Sequence, residues 1–410
     1  MERHREKRPL RILYVSSHWP GGQASGSHLR TLHVARALAE IGEVCVMVVG
    51  AEENDADSIR RTETEFKVGL HASVIPVADS RFRQRIRQLV DPRCPFPHGL
   101  AVEPRGETWI RDALPEFDLV WFFKLRTANM FQQWRWPRSV VDIDDVPSTY
   151  ERASGTAARW PLKLHFLQQT LVWRRRERLL GERFDVLGVC SESDRRYLSL
   201  KTPVQVIPNG FESPTGEPSR RPTPTGRIGF IGLFDHVPNL DGIQWFAREC
   251  WPRIKRQAPD ARLRLVGKLT AGSLQLPGQD IDTLGWVADP GAEMATWSAM
   301  IVPLRFGAGT RLKIAEAFSR KCPVVSTRLG AYGYEVQNGQ ELLLTDRPEE
   351  FAAACVSLIQ EPARGVDLAG RAWQHFVNRL TWTSITPRIH AAAEDCLRRN
   401  LDSTPNLQTT

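Results

Sequence analysis

The chain has 410 residues, 41% of them hydrophobic and 25% charged, with a formal net charge of +8. That length exceeds one comfortable core and predicts two or three domains, while the composition excludes extensive disorder and a membrane-embedded fold. The positive balance suits an anionic partner, whether nucleic acid, an anionic membrane surface or a phosphorylated substrate, and does not choose among them.

In chain order, the opening MERHREKRPLR is basic but has no apolar core before the first strand, so it is not read as a signal peptide and a cytoplasmic location is expected. LRILYVSS then reads as a strand, HWPGGQASGSH as a loop, and Leu32, Ala35, Leu38 and Ala39 as one face of a helix. EVCVMVV, FDLVWFF, SVVDIDD, FDVLGVCS and VQVIPNG continue as short apolar runs between helical stretches, the pattern of a parallel α/β sheet of Rossmann-like type. Residues 212–227, ESPTGEPSRRPTPTGR, have linker composition. A second α/β series follows: IGFIGLF, a helix with Ile243, Phe246, Ala247, Cys250, Trp251 and Ile254 on one face, then RLRLVG, AMIVPL and PVVST. Ile385, Ile389, Ala392, Ala393 and Cys396 mark one face of a terminal helix.

The expected organisation is a first Rossmann-like domain at 1–211, a linker at 212–227, a second Rossmann-like domain at 228–380, a helix at 381–400 and a tail at 401–410. Two such domains joined by a linker are expected to face a cleft, where a ligand binds. The seven cysteines stand singly without metal or redox spacing, as reduced structural thiols do. No metal and no cofactor are expected.

GAGTRLKIAEAFSRKCPVVST, residues 307–327, reads as loop, helix and strand, with Thr310 as the N-cap and Leu312, Ala315 and Phe318 at helical spacing. This places Arg311 and Lys313 in a first turn, where the helix dipole disfavours positive charge. Either the two side chains extend into water, or an anion joins them there.

The order and spacing of VIPNGFE, IGLFDHVPNLDGIQWF, GTRLKIAEAFSRKCPVVST and ELLLTDRPEEFAAAC resemble the GT-B glycosyltransferases of the family 4 type. The resemblance covers nearly the whole chain. It implies a retaining transferase that takes a sugar from a nucleoside diphosphate sugar as co-substrate, with the terminal helix crossing back to the first domain. In the family's Glu-x7-Glu motif the second Glu holds the donor ribose, and Glu316 matches it. Ala308 stands where the first Glu is absent, which leaves the backbone N–H groups of Gly307, Ala308, Gly309 and Thr310 to approach the donor. Many relatives carry Arg and Lys in the first loop of the second domain. Here LFDHVPNLDG has neither, and the resemblance hands the diphosphate to Arg311 and Lys313. PGGQASGSHLR resembles the family's Gly-rich loop, so Gly26 and Ser27 are candidates for a phosphate or the acceptor, against a plain strand-to-helix turn. Asp144 in VVDIDDVPS takes the place of a His facing the donor sugar and is the candidate catalytic carboxylate, whereas Asp145 fits a cap of the next turn.

The expected reaction transfers the sugar to a hydroxyl acceptor, a glycan or a lipid-linked one, in polysaccharide or glycolipid assembly. A nucleotide-sugar epimerase on the same fold and a basic binding protein without catalysis are the alternatives. Nucleic acid is not expected, because the charge is spread and no binding motif is present. Residues 160–180, WPLKLHFLQQTLVWRRRERLL, place Leu164, Leu167 and Leu171 on one helical face, followed by Trp173, Arg174, Arg175, Arg176 and Arg178. This stretch either docks the chain peripherally on the inner face of an anionic membrane or packs on the sheet with solvated arginines.

Overall fold

The apolar runs of both halves become strands buried on both faces, which is the state a parallel sheet covered by helices requires. Trp121, Phe122 and Phe123, for example, are fully buried in one strand. The structure, a computed structural model, describes residues 8–22, 26–51, 56–77, 81–97, 99–268, 276 and 280–402. Gln23, Ala24 and Ser25 of the Gly-rich loop, residues 1–7 and most of the 401–410 tail lie outside the described residues.

By contacts the chain divides into two compact units, Met1–Pro208 with Ile385–Thr410, and Asn209–Ser384. In unit 1 the strands are β1 (Leu10–Ser16), β2 (Gly42–Val49), β3 (Lys67–Ala72), β4 (Val74–Pro76), β5 (Leu100–Val102), β6 (Leu119–Phe123), β7 (Ser139–Asp142), β8 (Val186–Val189) and β9 (Val204–Val206). Seven of them form a parallel sheet of order β3-β2-β1-β6-β7-β8-β9, and β4 and β5 make a separate antiparallel ribbon. The chain winds outward from β1 to β3, then resumes on the other side of β1 at β6, so the strand order reverses between β1 and β6. In open α/β sheets this reversal opens a crevice at the carboxyl ends of the strands.

Unit 2 repeats the plan with β10 (Arg227–Ile231), β11 (Arg262–Val266), β12 (Ile281–Gly285), β13 (Ala299–Val302), β14 (Val324–Ser326) and β15 (Leu343–Leu344). Their order, β12-β11-β10-β13-β14-β15, reverses between β10 and β13. The long helix read after β10 is interrupted. It runs Val237–Trp245, passes through a wider π turn at Phe246–Cys250 and resumes at Trp251–Gln257. Pro252, which has no N–H to donate, lies just past the π turn.

The Pro-rich stretch at 212–227 is tied along unit 2. Arg221 N donates to Ala295 O at 2.9 Å, Thr223 N to Thr296 O at 3.1 Å, and the Arg220 guanidinium to Met294 O at 2.7 Å. The terminal helix spans Trp382–Asp402, and from Ile385 onward it belongs to unit 1. Ile385, Ile389, Ala392, Ala393 and Cys396 are fully buried there, and His390 Nε2 meets the carbonyl oxygen of Ala37 at 2.8 Å. The expected return of this helix to the first half is therefore observed.

Candidate functional site

In unit 2 the residue just past β10 is Gly232, whose positive φ of 159° favours glycine and whose backbone passes close to two side chains. A Cβ there would stand 2.9 Å from Asn239 Nδ2 and 3.1 Å from Lys313 Nζ. Asn239 is fixed by donating its Nδ2 to Leu233 O at 2.8 Å, which turns its Oδ1 to accept from Lys313 Nζ at 2.9 Å. The same ammonium sits 4.0 Å over the Phe230 ring. Burial, then repulsion from Arg311, lowers Lys313 to a pKa of about 7. His236 is held below its ordinary value by burial and by the same two cations.

The loop that follows β13 leads to Arg311 and Lys313. Gly307 and Gly309 adopt φ of 124° and 78°, the left-handed region that favours glycine, and a Cβ on Gly307 would stand 2.8 Å from the Arg311 guanidinium. The helix after it is Leu312–Ser319, and its cap is Arg311, not Thr310 as the sequence pattern suggests. The Thr310 hydroxyl is instead taken up as acceptor for Asn209 Nδ2 at 2.7 Å. The Arg311 guanidinium curls back onto the carbonyl oxygens of Ala308 and Gly309, while its own carbonyl accepts from Tyr334 OH at 2.9 Å. The dipole conflict is thus met locally: one cation leans on carbonyls, and the other on an amide oxygen and an aromatic face. One turn on, Glu316 is half-buried, its carboxyl raised by burial and drawn down by Arg320, 3.8 Å away, and by Lys313.

In unit 1 the corresponding strand ends gather a second cluster. Ser16 ends β1 and His18 lies just past it, Lys124 follows β6 and Asp144 follows β7. Lys124 Nζ donates to Ser27 Oγ at 2.8 Å and stands 3.7 Å from Asp144 Oδ2. The structure therefore joins two sequence candidates, Ser27 and Asp144, through a lysine that the sequence reading passed over. Lys124 and Asp144 have φ of 67° and 59°, the left-handed region that costs non-glycine residues about 1 kcal/mol each. Asp144 is nearly buried and also accepts from Cys190 Sγ at 3.4 Å. His18 is depressed to about 4 by burial, Lys124 and His28, so its ring is neutral at physiological pH.

A cavity of about 240 Å³ opens beside the pair, lined by Lys124, Arg126, Asp144, Asp145, Pro147 and Tyr150. Asp145 is exposed on its rim and does not cap the next helix, Pro147–Ala157, whose cap is Val146 without a side-chain bond. Gly26 opens the helix Gly26–Ala39. Beneath the cluster Arg30 and Asp142 form a fully buried bidentate pair with both bonds at 2.8 Å, and Arg30 also donates to Ile207 O and Pro208 O at 2.9 and 3.0 Å. This tie holds the Gly26 helix against β7 and the end of β9, and it explains how a charged residue lies on the helix's apolar face.

Residues 225–361, the greater part of unit 2, match the model of the family glycosyl transferases group 1. The match is confined to this unit and covers about a third of the chain. The matched residues include Gly232, Lys313 and Glu316. The chain is 32% identical over 124 residues to D-inositol 3-phosphate glycosyltransferase of Rhodococcus opacus, covering 29% of this chain and 26% of that protein. It is 26% identical over 133 residues to an uncharacterized 44.6 kDa protein in the cps region of Klebsiella pneumoniae, covering 30% and 34%. The chain thus spans about a third or less of the length of the curated relatives it matches. Its fold is similar to that of Anabaena Alr3699/HepE in complex with UDP, with a TM-score of 0.61, 15% identity and coverage of 94% of this chain and 100% of the other. The likeness is one of fold, the GT-B arrangement of two parallel Rossmann-like sheets.

Proposed function

We propose that the protein is a retaining glycosyltransferase that moves a sugar from a nucleoside diphosphate sugar, a UDP-sugar in the first instance, to a hydroxyl acceptor in polysaccharide or glycolipid assembly. The observation that carries this reading is Lys313. It is half-buried beside the end of β10, its ammonium on Asn239 Oδ1 and over the Phe230 ring, with its pKa lowered to about 7 and Arg311 beside it. A diphosphate adds negative charge beside both residues, and stabilising it as it leaves lowers the barrier to transfer. Arg311 and Lys313 hold the diphosphate, and Glu316 accepts from the ribose hydroxyls. The N–H groups from Gly307 to Thr310 approach the donor. Asp144 orders or deprotonates at the reacting centre, with Gly26 and Ser27 near a phosphate or the acceptor. The UDP bound by the Anabaena neighbour supports the choice of uridine.

Calorimetric titration with UDP and with uridine tests the assignment. Lys313→Ala is expected to weaken UDP by about 10- to 100-fold, the worth of a charge-assisted contact, and to leave uridine nearly unchanged. Equal losses for both ligands place the diphosphate elsewhere. Turnover of a UDP-sugar with no acceptor present points to epimerase chemistry instead.

A further inference from the structure

The stretch Leu162–Glu177 is a helix of unit 1, and its two faces differ sharply. Val172, Trp173 and Arg176 are buried, the last donating to Asn129 Oδ1 at 3.2 Å, so one of the four arginines read as surface charge belongs to the core. The opposite stripe holds Leu164, Leu167 and Leu171, each more than half exposed. Arg174, Arg175 and Arg178 follow at the same helical phase, exposed in their turn. The Arg81–Val90 helix lies alongside, and Arg175 donates to its Leu89 carbonyl. That helix leaves Ile86, Leu89 and Val90 exposed, Val90 by 77%, with Arg83 and Arg87 exposed at neighbouring positions. Apolar side chains of this size on two adjoining helices are far more than the scattered exposed leucines of an ordinary surface.

We infer that this two-helix face docks the protein reversibly on an anionic lipid bilayer. A bilayer surface satisfies both parts of the face, taking the leucines and Val90 into its acyl boundary and setting phosphates against the arginines. A second copy of the chain satisfies only the apolar part, because it gathers two arginine sets in one interface and neither stripe carries a carboxylate. Among the described residues no helix is long and apolar enough to cross a membrane, so the attachment is peripheral. The inference does not depend on the transferase reading, since it is measured without donor or acceptor.

Flotation of the full chain with phosphatidylcholine vesicles, with and without phosphatidylserine, at low and high salt, is the test. The expected result is binding to the anionic vesicles at low salt and release at high salt. Each basic residue near an anionic leaflet changes partitioning about fivefold, so combined Arg174→Glu, Arg175→Glu and Arg178→Glu is expected to lower it by at least about 100-fold. Leu164→Ser with Leu167→Ser, and separately Ile86→Ser with Val90→Ser, are expected to weaken binding in variants whose melting is unchanged. The inference is overturned if the protein stays with the unbound fraction at low salt, or if these variants float as the parent does. It is equally overturned if light scattering shows a dimer that Leu164→Ser with Leu167→Ser turns into a monomer.

Discussion

Lys313 shows what a single residue can reveal and conceal in a sequence. Its place at a helix start, with Arg311, was legible from the spacing of Leu312, Ala315 and Phe318. Its partners were not: Asn239 lies 74 residues away and Phe230 further still, and local periodicity carries no record of such contacts. The depressed pKa has two consequences of known sign. In the ligand-free chain the unfolded lysine, near its ordinary 10.5, binds more protons than the folded one, near 7. Between those values this group makes stability rise with pH, and below about 7 the cost of the buried charge is fully present. Lys313→Met is expected to flatten that rise. A bound diphosphate restores the charge, so UDP binding at pH 8 is expected to take up about 0.9 proton and at pH 6 almost none from this group. Calorimetry in buffers of different ionisation enthalpy measures the uptake, and an uptake unchanged in Lys313→Met removes Lys313 from the diphosphate.

At the scale of elements, the strands and the helices between them followed from apolar runs and helical spacing, because burial on both faces leaves a local trace in the sequence. What happens where a strand ends leaves almost none. Lys124 and Asp144 take left-handed conformations just past β6 and β7, and this turns their side chains toward each other. The backbone at those points is imposed by the neighbouring strands, with Lys124 N bonded to Asp142 O and Ile143 N to Gly188 O, both at 2.8 Å. Such strain is kept where a geometry is used. Asp144→Gly is therefore expected to stabilise the fold by about 1 kcal/mol through the relieved conformation, less what the lost ion pair gave. Asp144→Asn keeps the shape and is expected to cut transfer turnover by about 100-fold or more while UDP affinity holds. Urea denaturation and steady-state kinetics read the two effects. Normal turnover in a destabilised Asp144→Asn makes this a structural aspartate.

On the scale of the whole molecule, the terminal helix is the clearest case of a chain whose order differs from its packing. Its apolar face was visible, yet the residues it serves lie at the other end of the sequence, in unit 1. Ile389→Asp buries an unpaired charge there and is expected to cost about 3–5 kcal/mol, whereas Glu394→Asp on the exposed face is expected to cost almost nothing. Limited proteolysis checks it: cleavage is expected to rise first within residues 1–208, and an unchanged pattern detaches the helix from that unit.

By itself the sequence determined the α/β class, the two sheets and the helix after the Gly307 loop, since hydrophobic period and turn residues are local properties. It also held the candidates Glu316, Arg311, Lys313 and Asp144, through motif spacing. Tertiary structure alone decided that Arg311 caps its helix, that Arg176 is buried, that Lys124 links Ser27 to Asp144, and that Arg30 and Asp142 tie a helix to two strand ends. Each of those depends on which strands become neighbours, and in a parallel sheet neighbours are set by crossovers of many residues, whose partners no local pattern names.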